Sequence, residues 1–313
     1  MTERNGVTVV GSVHMDMIAS AREMPSPGSS VIGGQFVQAP GGKAGNLATQ
    51  LARLGVRTWL IAKVGDDAMG DAISTSLAMA GVNLEFLWRS TGGTTGASTS
   101  FAVAGEYASI IVPGVAGTMT AEDIDRAVMA FSQSRYVISQ LELPIELALA
   151  VFRHGHANGA VTILNASPLV GWDRSRLHAL LDQTDVLVVN QHEGALLVDM
   201  PIEHRAAAAA AGSTLCKRHS LQTAIVTCGA AGASLSRGEV VIEQASWDVE
   251  VQDAVGAGDA FLGGLVAAWI DGLDDSEALK IATAAGALAT TGAGASTSLP
   301  DWSAIRSFLQ GRT

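Results

Sequence analysis

The sequence predicts an α/β fold: a doubly wound, mainly parallel sheet with a small antiparallel β lid. Three observations carry that expectation. Apolar, β-branched runs alternate with amphipathic helical stretches along most of the chain, the rhythm of a parallel sheet with crossover helices. Polar clusters follow several strand runs directly, at the edge where open α/β sheets gather their ligands. Between residues 94 and 113 the rhythm breaks into two β-rich runs.

Taken in order, Val7–Ser12 reads as a buried strand ended by glycine, with Val13-His14-Met15-Asp16 at its carboxyl end. Asp16 there suits either the holding of substrate hydroxyls or an ordinary turn. Val31–Val37 predicts a short exposed strand leading to Gly41-Gly42-Lys43-Ala44-Gly45-Asn46. A helix follows, with Leu47, Leu51 and Leu54 on one face and Gly55 as its stop. The glycine pair permits close backbone approach, and Lys43 and Asn46 offer donors from the first turn. This is not a Walker A loop, because Val37 stands where that pattern needs Gly and Ala44 where it needs Ser or Thr.

Trp59–Val64 predicts a strand and Asp66–Ala80 a helix. Ala97–Val103 and Tyr107–Val112, joined by Ala104-Gly105-Glu106, read as a hairpin that joins Val31–Val37 in a second sheet. Such a sheet either covers a pocket or pairs with that of another subunit. Alternation resumes with a helix at Ala121–Phe131, a strand at Tyr136–Ser139 before Gln140-Leu141-Glu142, and a helix from Pro144. Val161–Leu164, a helix at Asp173–Leu181, and Val186–Val189 lead to Asn190-Gln191-His192-Glu193. Asn190 and Glu193 suit an outer-shell magnesium site or, equally, a helix cap with Glu at its third position. A helix at Ile202–His219 precedes the strand Ala224–Thr227 and the small-residue loop Cys228–Gly232, which is able to lie against a nucleotide. Strands follow at Ala233–Ser236, Val240–Gln244 and, by pattern, Trp247–Val251. The last helices, Ser276–Thr290 and Trp302–Leu309, flank Gly292–Ser298. No linker splits the chain, so one domain over 1–313 is expected, with lid segments at about 14–40 and 94–113.

The run Asp253-Ala254-Val255-Gly256-Ala257-Gly258-Asp259 organises the rest, because it opens the long apolar helix Ala260–Ile270. Glycines bring the backbone close to a ligand, and first-turn amides with the helix dipole form an anion site. Asp259 aims a carboxylate at that same place. A base beside a pocket for developing negative charge is what phosphoryl transfer to a hydroxyl requires.

Composition narrows the partners. The net charge of −11 argues against nucleic acid and anionic membrane. Two cysteines without CxxC spacing suggest neither disulfides nor zinc. With no signal peptide and no long apolar run, a soluble, cytoplasmic protein is expected.

Gly11–Asp16, Gly41–Asn46, Gln140–Glu142, Asn190–Glu193, Thr227–Gly232 and Asp253–Asp259 together resemble, in family order, the ribokinase-like (PfkB) carbohydrate kinases, nearest their ribokinases. The resemblance implies ATP-dependent phosphorylation of a small sugar, with Asp259 as the base and Gly256, Ala257 and Gly258 as the anion hole. It places Asp16, Gly42, Lys43, Asn46 and Glu142 on the sugar, and Asn190, Thr227, Gly229 and Gly232 at the nucleotide. Glu193 would organise Mg²⁺ through water. A K⁺ site would fall at Asp253, Val255, Ala289, Gly294 and Ser298. The out-of-rhythm β segments alone, apart from the resemblance, suggest a homodimer through the lid sheet. Three departures stand out: His14 replaces a usual Asn, Ala254 a common Thr, and Gly292 a frequent Arg. Nucleoside or fructose kinases of the same fold are alternatives, as is a sensor without turnover. A Rossmann dehydrogenase is not favoured, since no GxGxxG follows the first strand.

Overall fold

The computed structural model describes residues 4–312 apart from 104, 105, 170 and 172. Its strands and helices, in chain order, are β1 (Gly6–Val10), β2 (His14–Ala21), β3 (Phe36–Gly41), α1 (Lys43–Arg53), β4 (Thr58–Gly65), α2 (Ala68–Met79) and β5 (Leu87–Ser90). Then come β6 (Thr95–Val103), β7 (Glu106–Gly114), α3 (Ala121–Asp125), α4 (Val128–Gln133), β8 (Ser134–Gln140), α5 (Ile145–Ala157), β9 (Val161–Asn165), α6 (Arg174–Leu181) and β10 (Val186–Asn190). The remainder is α7 (Gln191–Val198), α8 (Arg205–His219), β11 (Thr223–Thr227), β12 (Ala233–Arg237), β13 (Val240–Gln244), α9 (Ala257–Ile270), α10 (Asp275–Ala289) and α11 (Trp302–Gln310).

Nine strands form the main sheet in the order β13-β12-β11-β10-β9-β8-β1-β4-β5. Pairing is parallel from β5 to β11 and antiparallel for β11–β12 and β12–β13. Central strands read as unbroken apolar runs because both faces are covered. Leu60, Ile138, Val188 and Ile225 point into one core, whereas Ile61, Val137, Val189 and Val226 point into the other. The first core is roofed by α1, α2, α9, α10 and α11, the second by α3 to α8. This is the doubly wound fold predicted.

Helix α9 is buried from Asp259 to Trp269. Two glycines explain how it fits so closely: a Cβ on Gly263 would reach within 2.3 Å of Gln50 Cγ, and one on Gly264 within 3.0 Å of Ala285 Cβ. The close approach fixes its first turn against α1, which matters for the site.

The small sheet runs β3-β2-β6-β7. Its outer pairs are antiparallel, but the central β2–β6 pair is parallel. The cause is topological: β2 leaves the main sheet from β1 and β6 from β5, so both depart from the same edge in the same direction. At the root of β6, Asp67 accepts from the Thr95 backbone N at 2.7 Å and from its Oγ1 at 2.6 Å while also capping α2 through Gly70 N.

Several expectations need correction. Strand β2 begins at His14, where the sequence leaves Asp16 open between a hydroxyl contact and a turn, and β3 starts at Phe36, so most of Val31–Val37 is not strand. The expected helix Ala121–Phe131 is interrupted at Arg126–Ala127, where the Ala127 and Ala130 amides bond three residues back. Among the described residues, Trp247–Val251 pairs with no strand. Trp247 instead donates from Nε1 to Thr283 Oγ1 at 3.1 Å and packs edge-on against Phe308, drawing the segment across α10 and α11. The turn expected at Ala104-Gly105 lies outside the described residues, although β6 and β7 pair as a hairpin.

Candidate active site

Strands β1 and β8 lie side by side, and the segments leaving them meet the N-termini of α1 and α9. Five expected residues converge there: Asp16, Lys43, Asn46, Glu142 and Asp259. Gly42 makes the entry to α1 possible. Its φ is +90°, and a Cβ would come within 2.7 Å of Val13 Cα. The Lys43 backbone N then donates to Glu142 Oε2 at 3.1 Å, and Ser12 Oγ donates to the same oxygen. Asn46, one turn into α1, donates from Nδ2 to Asp259 Oδ2 at 3.0 Å.

Asp259 is 6 % exposed in the first turn of α9. Burial raises its pKa to about 6, opposed by the Lys43 charge and the Asn46 hydrogen bond and assisted by the Glu142 and Asp16 carboxylates. Its neighbours therefore hold a carboxyl that titrates just below neutrality, in the range useful to a proton acceptor. The turn itself is set by Gly256, whose φ is +83° and whose added Cβ would lie 2.9 Å from Ala295 O. The Ala257 amide makes only a long 3.3 Å bond to Ala254 O, and a Cβ on Gly258 would meet nothing within 4 Å.

A second group braces that turn. Asp253 accepts from Val255 N through Oδ1 and from Gly294 N through Oδ2, both at 3.0 Å. Gly294 O in turn accepts from Ser298 Oγ at 2.8 Å. Ala289 is buried at the end of α10, and the next residue's carbonyl, Thr290 O, accepts from Asp253 N at 3.2 Å. The loop from 291 to 298 and the α9 entry are thus one unit.

The third group sits farther along the same sheet edge. Asn190 caps α7 by accepting from His192 N and Glu193 N, and Glu193 Oε2 accepts from Asn190 N at 2.9 Å. The helix-cap reading of this pair is therefore realised, with one Glu193 oxygen committed to it. Thr227 ends β11 and donates from Oγ1 to Val189 O at 3.4 Å. Gly229 and Gly232 adopt φ of +52° and +103°, and a Cβ on Gly232 would lie 2.1 Å from Gln244 O.

Sequence reasoning missed Ser12 and the partner of His14. The signal was present as a two-residue alternation, Ser12, His14, Asp16, whose last two members share one face of β2. His14 Nε2 lies 3.0 Å from Asp16 Oδ1. Burial disfavours charge on that ring, but the Asp16 hydrogen bond and the Glu142 carboxylate outweigh burial and the opposing Lys43, so its pKa is raised.

With this geometry in view, the sequence matches the family described as pfkB family carbohydrate kinase over residues 4–302. The chain belongs to that family. It is an ATP-dependent carbohydrate kinase. Among curated relatives, the ribokinase of Bacillus subtilis is 28 % identical over 97 % of this chain and 99 % of its own. The deoxyribokinase of Salmonella typhi is also 28 % identical, over 97 % and 98 %. Among solved structures, Arabidopsis thaliana ribokinase complexed with ribose and ATP superposes with a TM-score of 0.88 at 27 % identity, covering 98 % of this chain and 99 % of that one. Among the described residues, no helix is long and apolar enough to cross a membrane.

Proposed function

We propose that this kinase transfers the γ-phosphoryl group of ATP to a hydroxymethyl group of a small sugar, with Asp259 as general base. The observation that carries the reading is the Asn46–Asp259 contact: a buried carboxyl, adjusted to about 6, at the amide-bearing start of a helix. In the proposed reaction Asp16, Gly42, Lys43, Asn46 and Glu142 hold the acceptor. Asp259 takes the proton of the attacking hydroxyl as its oxygen bonds to phosphorus. The leaving group is ADP, and negative charge on the transferring phosphoryl oxygens meets the amides of Gly256, Ala257 and Gly258. Little covalent work falls to the protein, so positioning and electrostatics supply the rate. The small sheet acts as a lid that excludes water from the acceptor.

Asn190, Thr227, Gly229 and Gly232 are assigned to the nucleotide. Glu193 fits an outer role toward Mg²⁺, because its second carboxylate oxygen is not engaged in the cap and Mg²⁺ retains most of its waters. When bound, Mg²⁺ neutralises charge on the nucleotide phosphates. For K⁺, both Asp253 oxygens are already committed to backbone amides. Asp253 therefore fits as the brace of a site whose ligands are the carbonyls of Val255, Ala289 and Gly294 and the Ser298 hydroxyl. The exposed apolar residues Phe36, Val37, Ile110 and Val112 on the lid strands support a homodimer through that sheet. A monomeric mass by light scattering would remove the dimer.

The relatives named above support a pentose such as ribose or deoxyribose as acceptor. ADP release from MgATP against pentoses, hexoses and nucleosides, with and without K⁺, tests the whole reading. Turnover with a free sugar is expected. Turnover with nucleosides alone would reassign the acceptor, and a folded, ATP-binding protein silent across the panel would sink the assignment.

A further inference from the structure

The bond to Asp259 accounts for only half of the Asn46 amide. Nδ2 donates there, while Oδ1 is buried without a partner among the described residues, in a side chain that is 5 % exposed. Asn46 lines a narrow neck that leaves about 10 Å³ for the centre of a water-sized group, enough for one hydroxyl. Thr49, Ser76 and Ser296 line both this neck and a wider groove of about 570 Å³ between α1, α2 and the 291–298 loop. Small residues four apart on both helices leave that space: Gly45 and Thr49 on α1, Ala72 and Ser76 on α2. The groove wall also carries Arg53, Thr75 and Thr297. Arg53 is fixed through Nη1 to Leu299 O at 2.8 Å, and its Nε and Nη2 are unengaged among the described residues. Ser296 Oγ donates to Pro40 O at 2.9 Å, which ties the loop to β3 beside the neck.

We propose that this groove is a second, non-catalytic binding site for a monophosphorylated polyol, whose phosphate meets Arg53 and one of whose hydroxyls enters the neck beside Asn46. The lining selects that chemistry. In a chain of net charge −11 no carboxylate stands in the groove wall, and the one guanidinium edge, Nε with Nη2, grips a single phosphate through two parallel hydrogen bonds. The Thr and Ser hydroxyls match those of a polyol. No aromatic ring lines the groove, so a nucleobase finds no stacking surface. The volume is that of a small-molecule site. A hydroxyl in the neck donates to Asn46 Oδ1 and polarises the amide, which strengthens the Nδ2 bond to Asp259. Only this link to turnover rests on the reading of Asp259 as general base; the binding step stands without it.

The test titrates sorbitol 6-phosphate by calorimetry into wild type, R53Q and A72W, with ADP and the acceptor that is turned over both saturating, so that the catalytic site is filled. Wild type should bind one equivalent. R53Q should weaken binding by about tenfold or more, the scale of one hydrogen bond to a charged group. A72W, whose indole fills the groove from an exposed position, should abolish it. Sorbitol and inorganic phosphate should each bind at least about tenfold more weakly than the ester. The ester should also move the midpoint of the wild-type kcat–pH profile downward from about 6 and leave that of A72W in place. The charged groups acting on Asp259 (Lys43 on α1, Glu142 beyond β8 and Asp16 on β2) are the same in all three proteins. No binding by wild type, or equal binding by all three proteins, overturns the site. Equal affinity for inorganic phosphate overturns the polyol assignment, and an unmoved midpoint overturns the link to Asn46. Were no acceptor turned over, the kinase reading would fail, while binding lost in both R53Q and A72W would still establish the groove.

Discussion

Replacing Asp259 by Asn should slow the enzyme and stabilise it at the same time. The carboxyl is buried, and its pKa is raised from 3.8 to about 6. A raised carboxyl pKa means that the folded state holds the proton more tightly than the unfolded chain. The folded state therefore carries no penalty below pH 3.8, acquires one as the pH rises to about 6, and bears it fully above. At about 1.4 kcal/mol per pH unit, the penalty at pH 7.5 is on the order of 3 kcal/mol. Asn carries no charge and still offers Asn46 Nδ2 an acceptor, so D259N escapes it. With an unfolding entropy of about 2.1 cal/mol/K per residue, a 313-residue chain gains roughly 5 °C in Tm. Scanning calorimetry should show that gain at pH 7.5 and none at pH 3.5, in a protein that folds at both. ADP release at pH 7.5 should fall by at least about 100-fold, the usual scale for a general base, with acceptor and ATP affinity within a few-fold of wild type. Wild-type kcat should itself drop about tenfold per unit below pH 6. Turnover of D259N near the wild-type rate, or a Tm that does not rise at pH 7.5, would refute the reasoning.

Three further variants probe the supports of that carboxyl. N46A removes a hydrogen bond that lowers the Asp259 pKa, so the midpoint of the kcat–pH profile should move upward from about 6, and acceptor KM should rise about tenfold. G256A places a Cβ at φ +83° against Ala295 O. It should cost about 1–3 kcal/mol by chemical denaturation and lower kcat at least tenfold. D253A leaves the Val255 and Gly294 amides without their acceptor. Its kcat should fall about 10- to 100-fold, while acceptor affinity measured by calorimetry stays intact.

Local chemistry made most of the main sheet readable. Runs such as Val186–Val189 admit one interpretation when both faces are buried, and glycines marked the turns at Gly42 and Gly256 because no other residue suits those positive φ values. What escaped depended on distant partners. The stretch His14–Ala21 becomes a strand only because β3 and β6 flank it. Trp247–Val251 alternates like a strand but is claimed by helices instead. Within the site, the individual residue types were visible, but their pairing was not. Asn46 and Asp259 are 213 positions apart, and nothing in either neighbourhood announces their contact. Glu193 illustrates the converse, since its capping role was as legible as the metal role and the structure realises the cap.

Strand β2 departs from β1 after three residues, and its root carries His14 and Asp16 while its far end lies in the solvent-facing sheet. In the proposed reading, chemistry and cover are consequently segregated along a single strand. Insertions near residues 22–35, or at the β6–β7 turn, would enlarge the cover without shifting the register that sets His14 opposite Gly41 and Gly96. Such a layout is modular: the outer half can be lengthened, trimmed or exchanged between chains while the inner half keeps its alignment with the main sheet. Chimaeras cut just beyond Ile18 should therefore exchange the outer cover and retain the acceptor preference of the chain that supplies the root.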